Sequence, residues 1–384
     1  MRFFAKRRGV MSKPATRPRP KPVAKPWIEE IHAYKPGQSS AADGRALIKL
    51  SANENPLGTS PAALAALGAA RKDAALYADP SCIALRKALG DLHGLDPDQI
   101  VCGTGSGELL HCAVQAFAAV GDEVLFSRYS FSLYPLIAHK VGATPVLARD
   151  VDYAADIDAM LDAVTPATRV VLLDNPNNPS ATYIEPVEVR RLHGGLREDI
   201  LLVLDEAYAE YLPAELQSFG FEMARAHENV LVTRTFSKAY GLAAERIGWA
   251  FGAPHLIDYL NRLRGAFNVS ASGQKAALAA VADQDFVRRS AESNRAVRAE
   301  FERQIEALGN HGLRALPSEA NFVLVEFSGE LTAPDALSAL TQEGYAVRHL
   351  PGQGLPNHLR ITIGTAEQME AVAATLARVA GERA

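Results

Sequence analysis

From residue 100 onward, apolar stretches of strand length alternate with amphipathic stretches, and this alternation is the strongest constraint on the fold. "QIVCG", "RVVLLD" and "ILLVLD" are short apolar runs typical of buried strands. Between them lie segments with helical spacing of apolar residues, such as "ELLHCAVQAFAAV". Strands that alternate with helices predict an α/β fold with a mostly parallel central sheet and helices on both faces. Ligands of such sheets bind beyond the carboxyl ends of the strands.

Changes in this pattern divide the 384 residues into four predicted segments. Toward the C-terminus, "NFVLVEF", "YAVRHL" and "HLRITIG" are predicted strands of a smaller α+β domain. The predicted segments are a basic, proline-rich tail (1–26), an N-terminal segment that joins the small domain (27–65), a large ligand-binding domain (66–270) and the C-terminal small domain (271–384).

The tail differs sharply in charge from the rest of the chain. Residues 1–26 contain nine Lys or Arg, five Pro and no acidic residue, whereas the remainder has 31 basic and 44 acidic side chains. This composition predicts a disordered tail without the apolar core of a secretory signal. A transit peptide remains an alternative, although the prolines disfavour an amphipathic helix.

Several classes of protein are excluded by composition. No apolar stretch approaches the roughly 20 residues of a membrane helix, so we expect no membrane partner. The three cysteines form no CxxC pair, which argues against a metal site and predicts a reducing, cytoplasmic location. The acidic body would repel phosphate backbones, so we expect no nucleic-acid partner.

Four predicted strands end in unusual residues, and their carboxyl ends should meet at one edge of the sheet. Glycines in the first of these ends could bring backbone N–H groups close to a phosphate at the start of a helix. A plain turn is the alternative, as is a dinucleotide site of a dehydrogenase, although Glu108 stands where that motif needs glycine. The four ends are "GTGSGE" (103–108), "DNPNNPSAT" (174–182), "DEAY" (205–208) and "TFSKAYG" (235–241).

The combination of a phosphate cradle, Asp205 and Lys238 predicts a site for pyridoxal 5′-phosphate (PLP). The cradle would anchor the phosphate, the Lys238 amine would form a Schiff base with the aldehyde, and the Asp205 carboxylate would keep the pyridine nitrogen protonated. Taken singly, Asp205 could be a helix cap and Lys238 a solvated charge. Glu206 receives no function from this reasoning.

The chain resembles the fold-type I PLP-dependent aminotransferases and, within them, the histidinol-phosphate aminotransferases. The resemblance runs from about Trp27 to near the C-terminus. Its markers are "YKPGQ", "ANENPLG", "LYADP", "GTGSGE", "FSLYPLIAHKVGA", "NPNNP", "DEAY", "TFSKAYGLAAERIG", "EANF" and "LRITIGT".

The resemblance implies a function for individual residues. Lys238, Asp205 and Tyr208 would be catalytic, with Lys238 carrying the proton. Tyr77 would reach the cofactor of a neighbouring subunit, which implies a homodimer with shared active sites. Phe131 would stack on the pyridine ring, with Tyr129 as the alternative. The other implied cofactor contacts are Asn178, Ser106, Gly107, Thr235, Ser237 and Arg246, and the implied substrate contacts are Arg360 for a carboxylate, Arg348 for a phosphate, Tyr34 and Asn55.

The implied reaction is transamination between L-histidinol phosphate and 2-oxoglutarate in histidine biosynthesis. An aromatic amino-acid aminotransferase or another fold-type I PLP enzyme is the alternative. Two departures from the family pattern stand out: "NNPSAT" lacks the usual glycine, for which we expect a local loop change, and Glu245 precedes Arg246 where an apolar residue is usual. Glu245 could pair with a cation or weaken the phosphate site.

Overall fold

The structure, a computed structural model, describes residues 22–29, 31, 44–70, 72 and 74–383. Most of the predicted tail lies outside these residues, as does Tyr34 with the "YKPGQ" marker. Within the described residues no helix is both long and apolar enough to cross a bilayer.

Strands and helices alternate through the middle of the chain, as the sequence pattern predicts. The strands are β1 (Ile48–Lys49), β2 (Ile100–Gly103), β3 (Glu123–Ser127), β4 (Thr144–Ala148), β5 (Asp150–Val151), β6 (Ala154–Ala155), β7 (Thr168–Asp174), β8 (Leu201–Asp205), β9 (Val230–Thr235), β10 (Gly248–Gly252), β11 (Leu313–Ala315), β12 (Phe322–Phe327), β13 (Tyr345–Ala346), β14 (Arg348–Leu350) and β15 (Leu355–Thr362). The helices are α1 (Pro26–Glu29), α2 (Pro61–Ala70), α3 (Ile83–His93), α4 (Ser106–Phe117), α5 (Leu133–Val141), α6 (Ile157–Asp162), α7 (Pro186–Gly195), α8 (Phe219–Ala226), α9 (Pro254–Leu263), α10 (Ala271–Ala282), α11 (Gln284–Glu306), α12 (Ala333–Gln342) and α13 (Ala366–Gly381).

The large sheet has seven strands in the order β2-β10-β9-β8-β7-β3-β4. Neighbouring strands pair in parallel except at β10, which is antiparallel to both β2 and β9. The predicted α/β class with a mostly parallel sheet is therefore confirmed. Because β2, β7, β8 and β9 run in one direction, their carboxyl ends lie at the same edge.

The strands of this sheet are buried on both faces. In β8, Leu202 and Leu204 pack into the hydrophobic cluster on one face, and Leu201 and Val203 pack into the cluster on the other. A strand covered on both sides has no solvent-facing positions for polar residues. This explains why "LLVLD" is continuously apolar up to its last residue.

The small domain is built around the antiparallel sheet β11-β12-β15-β14, with α11, α12 and α13 contributing to its core. Strand β1 of the N-terminal segment pairs in parallel with β13. Helix α10 instead contributes Ala276, Ala277 and Ala280 to the core of the large domain. Helix α11 contributes residues to the cores of both domains, and the boundary expected at residue 271 stays a prediction.

A buried ion pair accounts for Glu206, the residue without a predicted function. The guanidinium of Arg234 on β9 donates to Glu206 Oε2 from Nε at 3.0 Å and from a terminal nitrogen at 2.7 Å. Both side chains are buried, and the Arg234 guanidinium lies 4.2 Å from the Phe221 ring centroid. Gly220 makes room for the pair, because a Cβ there would lie 2.1 Å from a carboxylate oxygen of Glu206.

We predict that Glu206→Gln lowers the free energy of unfolding by about 3 kcal/mol, because it removes the nearer of the two buried carboxyl groups that pair with Arg234 and leaves only Glu210, at 3.9 Å. Urea denaturation of the variant and the parent protein measures this difference. Glu215→Gln, at an exposed position nearby in the chain, is the matched control and should change stability by less than about 0.5 kcal/mol. Equal stabilities of the two variants would contradict this assignment.

Candidate active site

The four unusual strand ends converge on one cavity of about 220 Å³ at the carboxyl edge of the large sheet. This cavity is lined by Phe131 and by all nine of the predicted cofactor contacts that lie in the segments after strand ends. The lining residues are Ser106, Gly107, Phe131, Leu133, Asp174, Pro176, Asn178, Asp205, Ala207, Tyr208, Thr235, Ser237, Lys238 and Arg246.

One end of the cavity offers a cationic cradle at the start of α4. Gly105 has a φ of 73°, and a Cβ there would lie 2.6 Å from a terminal nitrogen of Arg246, so the turn requires glycine. Arg246 also donates to Ser237 Oγ at 3.2 Å. The guanidinium, the hydroxyl and the first N–H groups of α4 are the donors that a phosphate group needs.

The Glu108 carboxylate, in the first turn of α4, stabilises the turn of the cradle through hydrogen bonds. Its carboxylate accepts hydrogen bonds from Thr104 N at 2.6 Å, Asn268 Nδ2 at 2.7 Å and Gly265 N at 3.1 Å. These hydrogen bonds contribute to the lowered pKa of Glu108, against the opposing effect of burial. Glu108, the residue that departs from the dinucleotide motif, therefore fixes the turn through these hydrogen bonds.

Asp205 is the last residue of β8 and lines the same cavity as the cradle residues. It is 3% exposed, and its carboxylate accepts from Thr233 Oγ1 at 3.1 Å and from the Tyr134 hydroxyl at 3.3 Å. Burial raises its pKa to about 6, partly offset by these two hydrogen bonds. A cation placed beside this carboxylate would favour its ionised form, which is what a protonated pyridine nitrogen supplies.

Asp174 is a second buried carboxyl group that sequence reasoning did not select. It ends β7 directly opposite Asp205 in the strand register. Its Oδ2 accepts from Asn178 N at 2.8 Å and its Oδ1 from Asn177 Nδ2 at 3.2 Å. Burial is the main cause of a pKa of about 8, so this carboxyl is mostly neutral at pH 7. Asp174 also follows an apolar run, and this was the signal that could have identified it.

Lys238 reaches the cavity from the turn after β9. Its Nζ donates to Ala52 O at 3.2 Å and lies 5.7 Å from the Tyr208 ring centroid. Burial, followed by the positive charge of Arg360, lowers the pKa of the amine to about 7. A substantial fraction of the amine is therefore neutral at neutral pH, which is the nucleophilic form.

Asn178 and Tyr208 connect this cavity to the small domain. Asn178 Oδ1 accepts a hydrogen bond from Arg360 on β15. The Tyr208 hydroxyl accepts from Asn53 Nδ2 at 2.9 Å, and the Asn53 side chain also bonds to Thr362 of β15. Sequence reasoning missed Asn53, and its left-handed φ of 58° was not evident from residue type alone.

A second cavity of about 600 Å³ continues from the first between the two domains. Lys238, Asn178 and Phe131 line both cavities. Arg348 and Arg360, the predicted substrate contacts, line the larger one. The larger cavity therefore has the position expected of a substrate site.

Three predicted contacts lie elsewhere. Asn55 Nδ2 donates to Ala239 O at 2.8 Å and to Ser290 Oγ at 2.9 Å, and the residue lines neither cavity. Tyr77 is 85% exposed and stacks on Phe267 at 4.6 Å between ring centroids. Tyr129, the alternative to Phe131, also lines neither cavity. Tyr34 is outside the described residues.

The two departures from the family pattern have local explanations. Ala181, at the position of the usual glycine, is fully buried and has a left-handed φ of 64°, a conformation that glycine adopts more readily than alanine. Glu245 Oε2 accepts from Ser272 Oγ at 3.5 Å, near the start of α10. The Glu245 carboxylate thus has a contact on the α10 side of the loop, whereas Arg246 contacts Ser237 and Ala243.

These features fit PLP: donors for a phosphate, an aromatic side chain, a buried carboxyl and an amine of low pKa surround one cavity. Among the described residues, no group of three His, Cys, Asp or Glu side chains could hold a metal ion.

The pKa of Lys238 can be measured in the apo-protein. We predict that acetylation of Lys238 by acetic anhydride rises with pH and levels off above about pH 8, because its pKa is about 7. A lysine model peptide, acetylated under the same conditions, is the control, and its rate should keep rising up to about pH 10. Mass spectrometry of digests gives both rates, and identical pH profiles would contradict a lowered pKa.

Comparisons with known proteins agree with this geometry. Residues 45–376 match the family described as aminotransferase class I and II. The histidinol-phosphate aminotransferase of Erythrobacter litoralis is 62% identical over 360 residues, covering 94% of this chain and 98% of the relative. That of Zymomonas mobilis is 54% identical, covering 92% of this chain and 95% of the relative.

A solved structure agrees as well. Histidinol-phosphate aminotransferase from Sinorhizobium meliloti, in complex with PLP, is 30% identical and superimposes with a TM-score of 0.84 over 94% of this chain and 98% of that chain. The chain therefore belongs to the PLP-dependent class I and II aminotransferases and, within them, to the histidinol-phosphate aminotransferase family.

Proposed function

We propose that this protein transfers the amino group of L-histidinol phosphate to 2-oxoglutarate, giving imidazole-acetol phosphate and L-glutamate, as a step of histidine biosynthesis. The family of its relatives supports this reaction. The observation that carries the choice of substrate is the pair of arginines in the larger cavity. Arg348 on β14 lies directly opposite Arg360 on β15.

Two facing arginines suit a phosphate ester better than a lone carboxylate. Each guanidinium is a planar fork that matches phosphate or carboxylate oxygens. L-histidinol phosphate has a phosphate ester near the carbon that carries the amine, where an amino acid has a carboxylate. An aromatic amino acid offers a single negative charge there and would leave one of the two cations without a substrate anion.

The residues of the smaller cavity have complementary proposed functions toward the cofactor. Bound PLP supplies an aldehyde carbon that takes the amino group and a ring that accepts electrons. Asp205 would hold the proton on the ring nitrogen, and the cradle would bind the phosphate. Lys238 Nζ, partly neutral at pH 7, would take the proton from the substrate Cα. We propose ring contacts for Phe131, Asn178 and Tyr208, and phosphate contacts for Ser106, Gly107, Thr235, Ser237 and Arg246.

The proposal includes a homodimer in which Tyr77 completes the partner's cofactor site. Tyr77, Leu76 and Phe267 are exposed apolar side chains, and clusters of this kind mark protein interfaces. The Tyr77 side chain makes no contribution to either cavity of its own chain. Sedimentation of the holoenzyme tests the assembly, and a fully active monomer would contradict it. We also propose a cytoplasmic location, with which three free cysteines agree.

The choice of substrate is tested with a panel of amino donors and 2-oxoglutarate as the acceptor. We predict that kcat/KM for L-histidinol phosphate exceeds that for L-phenylalanine by at least about a hundredfold. This ratio corresponds to about 2.7 kcal/mol, which lies within the range for a close, desolvated pair of opposite charges. Arg348→Met should reduce the preference, while leaving phenylalanine turnover nearly unchanged. Preference of the parent protein for phenylalanine would identify an aromatic amino-acid aminotransferase instead.

A further inference from the structure

The strand pairing of the small domain brings a third cation to the two arginines. Lys49 on β1 is paired with Ala346 on β13, and Arg348 follows two residues later at the start of β14. Arg348 in turn lies opposite Arg360 on β15. Three short segments therefore deliver Lys49, Arg348 and Arg360 to the same region of the fold.

All three side chains line the larger cavity. Lys49, Ser51, Ala52 and Asn53 of the N-terminal segment all line this cavity. None of its lining residues is acidic, and the fourth charged one is Lys238. The positive charge of Lys49 is also among the causes that lower the pKa of the Lys238 amine, which places the two cations within electrostatic reach of each other.

Lys49 has a partner that it can exchange for a substrate. Its Nζ lies 2.6 Å from Glu54 Oε1, and the two side chains are 43% and 40% exposed. An ion pair with this exposure contributes about 0 to 1 kcal/mol, because water solvates both charges well. A substrate anion in the cavity can therefore take the ammonium from Glu54 at little cost.

A phosphate monoester differs from a carboxylate in total charge and in its number of oxygens. Phosphate monoesters carry a charge of about −1.5 to −2 at pH 7, with a second pKa of about 6 and three terminal oxygens. Two guanidinium groups can each bind two oxygens, which leaves further lone pairs and negative charge for another donor. A carboxylate has one charge and two oxygens, which Arg360 alone can bind.

We propose that Lys49 is a specificity-determining residue. When substrate binds, the Lys49 ammonium releases Glu54 and binds the phosphate of the substrate beside Arg348 and Arg360. This inference rests on the proposed function and assigns to Lys49 the added charge that distinguishes a phosphate ester from a carboxylate. Glu54 holds the ammonium at the cavity while no phosphate is bound. The pair therefore favours phosphate substrates and lets carboxylate substrates bind without it.

The test compares two ligands that share an imidazole side chain. In L-histidinol phosphate the carbon next to the amine-bearing carbon carries a phosphate ester. In L-histidine that carbon is the carboxylate carbon. In the holoenzyme, Lys49→Met should raise KM for L-histidinol phosphate about tenfold, a loss of about 1.4 kcal/mol. The KM or inhibition constant of L-histidine should change by less than about threefold, and kcat should stay within about twofold.

Two further variants sharpen the comparison. Glu54→Gln releases Lys49 and should lower KM for L-histidinol phosphate about twofold. Lys87→Met is the matched control, because Lys87 forms a similar exposed pair with Asp91 at 2.8 Å on α3; it should leave all constants unchanged. In the parent enzyme KM should fall as pH rises through about 6, the second pKa of the phosphate, and this dependence should be weaker in Lys49→Met.

Inorganic phosphate separates failure of this inference from failure of the proposed function. As a competitive inhibitor of the holoenzyme, it should bind about tenfold more weakly to Lys49→Met than to the parent. If the parent does not turn over L-histidinol phosphate but phosphate inhibition shows this difference, the proposed reaction is wrong and the anion site stands. Equal effects of Lys49→Met on phosphate and carboxylate ligands, or no effect on either, would overturn the inference.

Discussion

The site depends on the parallel pairing of β7 with β8, which sets Asp174 opposite Asp205 at the buried edge of the sheet. Each carboxyl group is less than 5% exposed, so both are largely withdrawn from water. Burial raises the pKa of each, to about 8 for Asp174 and about 6 for Asp205. The lower value belongs to Asp205, which accepts from Thr233 and Tyr134 and is the better placed to remain ionised beside a cation.

The same low polarity that raises these carboxyl pKa values lowers that of Lys238, since burial disfavours charge of either sign. An amine that is partly neutral at pH 7 then lies in one cavity with a cationic cradle for phosphate and a carboxyl for a ring nitrogen. Glu108 separately fixes the turn of the cradle through its hydrogen bonds, and the missing side chain at Gly105 leaves room for Arg246. The positions and pKa values of these groups thus follow from the sheet edge. The small domain adds Arg348 and Arg360, for which we propose contacts to the substrate.

Much of this arrangement could be predicted because strand direction determines which segments meet. The chain order of apolar runs placed Asp205, Asn178 and Lys238 at one edge, and the structure brings them together. The reversed direction of β10 could not be predicted, because an apolar run has no direction of its own. The small residues of α10 suit either domain, so the domain boundary at residue 271 stays a prediction.

The partner of an individual side chain was harder to predict than which segments meet at the edge of the sheet. Asn53 and Asn55 have the same residue type two positions apart, and only the left-handed turn at Asn53 directs that amide toward Tyr208. Glu206 had no evident function because its partner, Arg234, is 28 residues away in the chain on the neighbouring strand. Proximity of this kind depends on register, which the sequence pattern leaves open.

The central claim is that Lys238 and the strand-end cavity form the binding site of PLP, and visible absorption measures it most directly. After unbound PLP is removed by gel filtration, the purified protein should show the yellow absorption band of a lysine-bound cofactor, and Lys238→Ala should lose this band while still retaining PLP through the cradle and Asp205. A parent protein that stays colourless with PLP, or a Lys238→Ala variant with an unchanged band, would contradict the account.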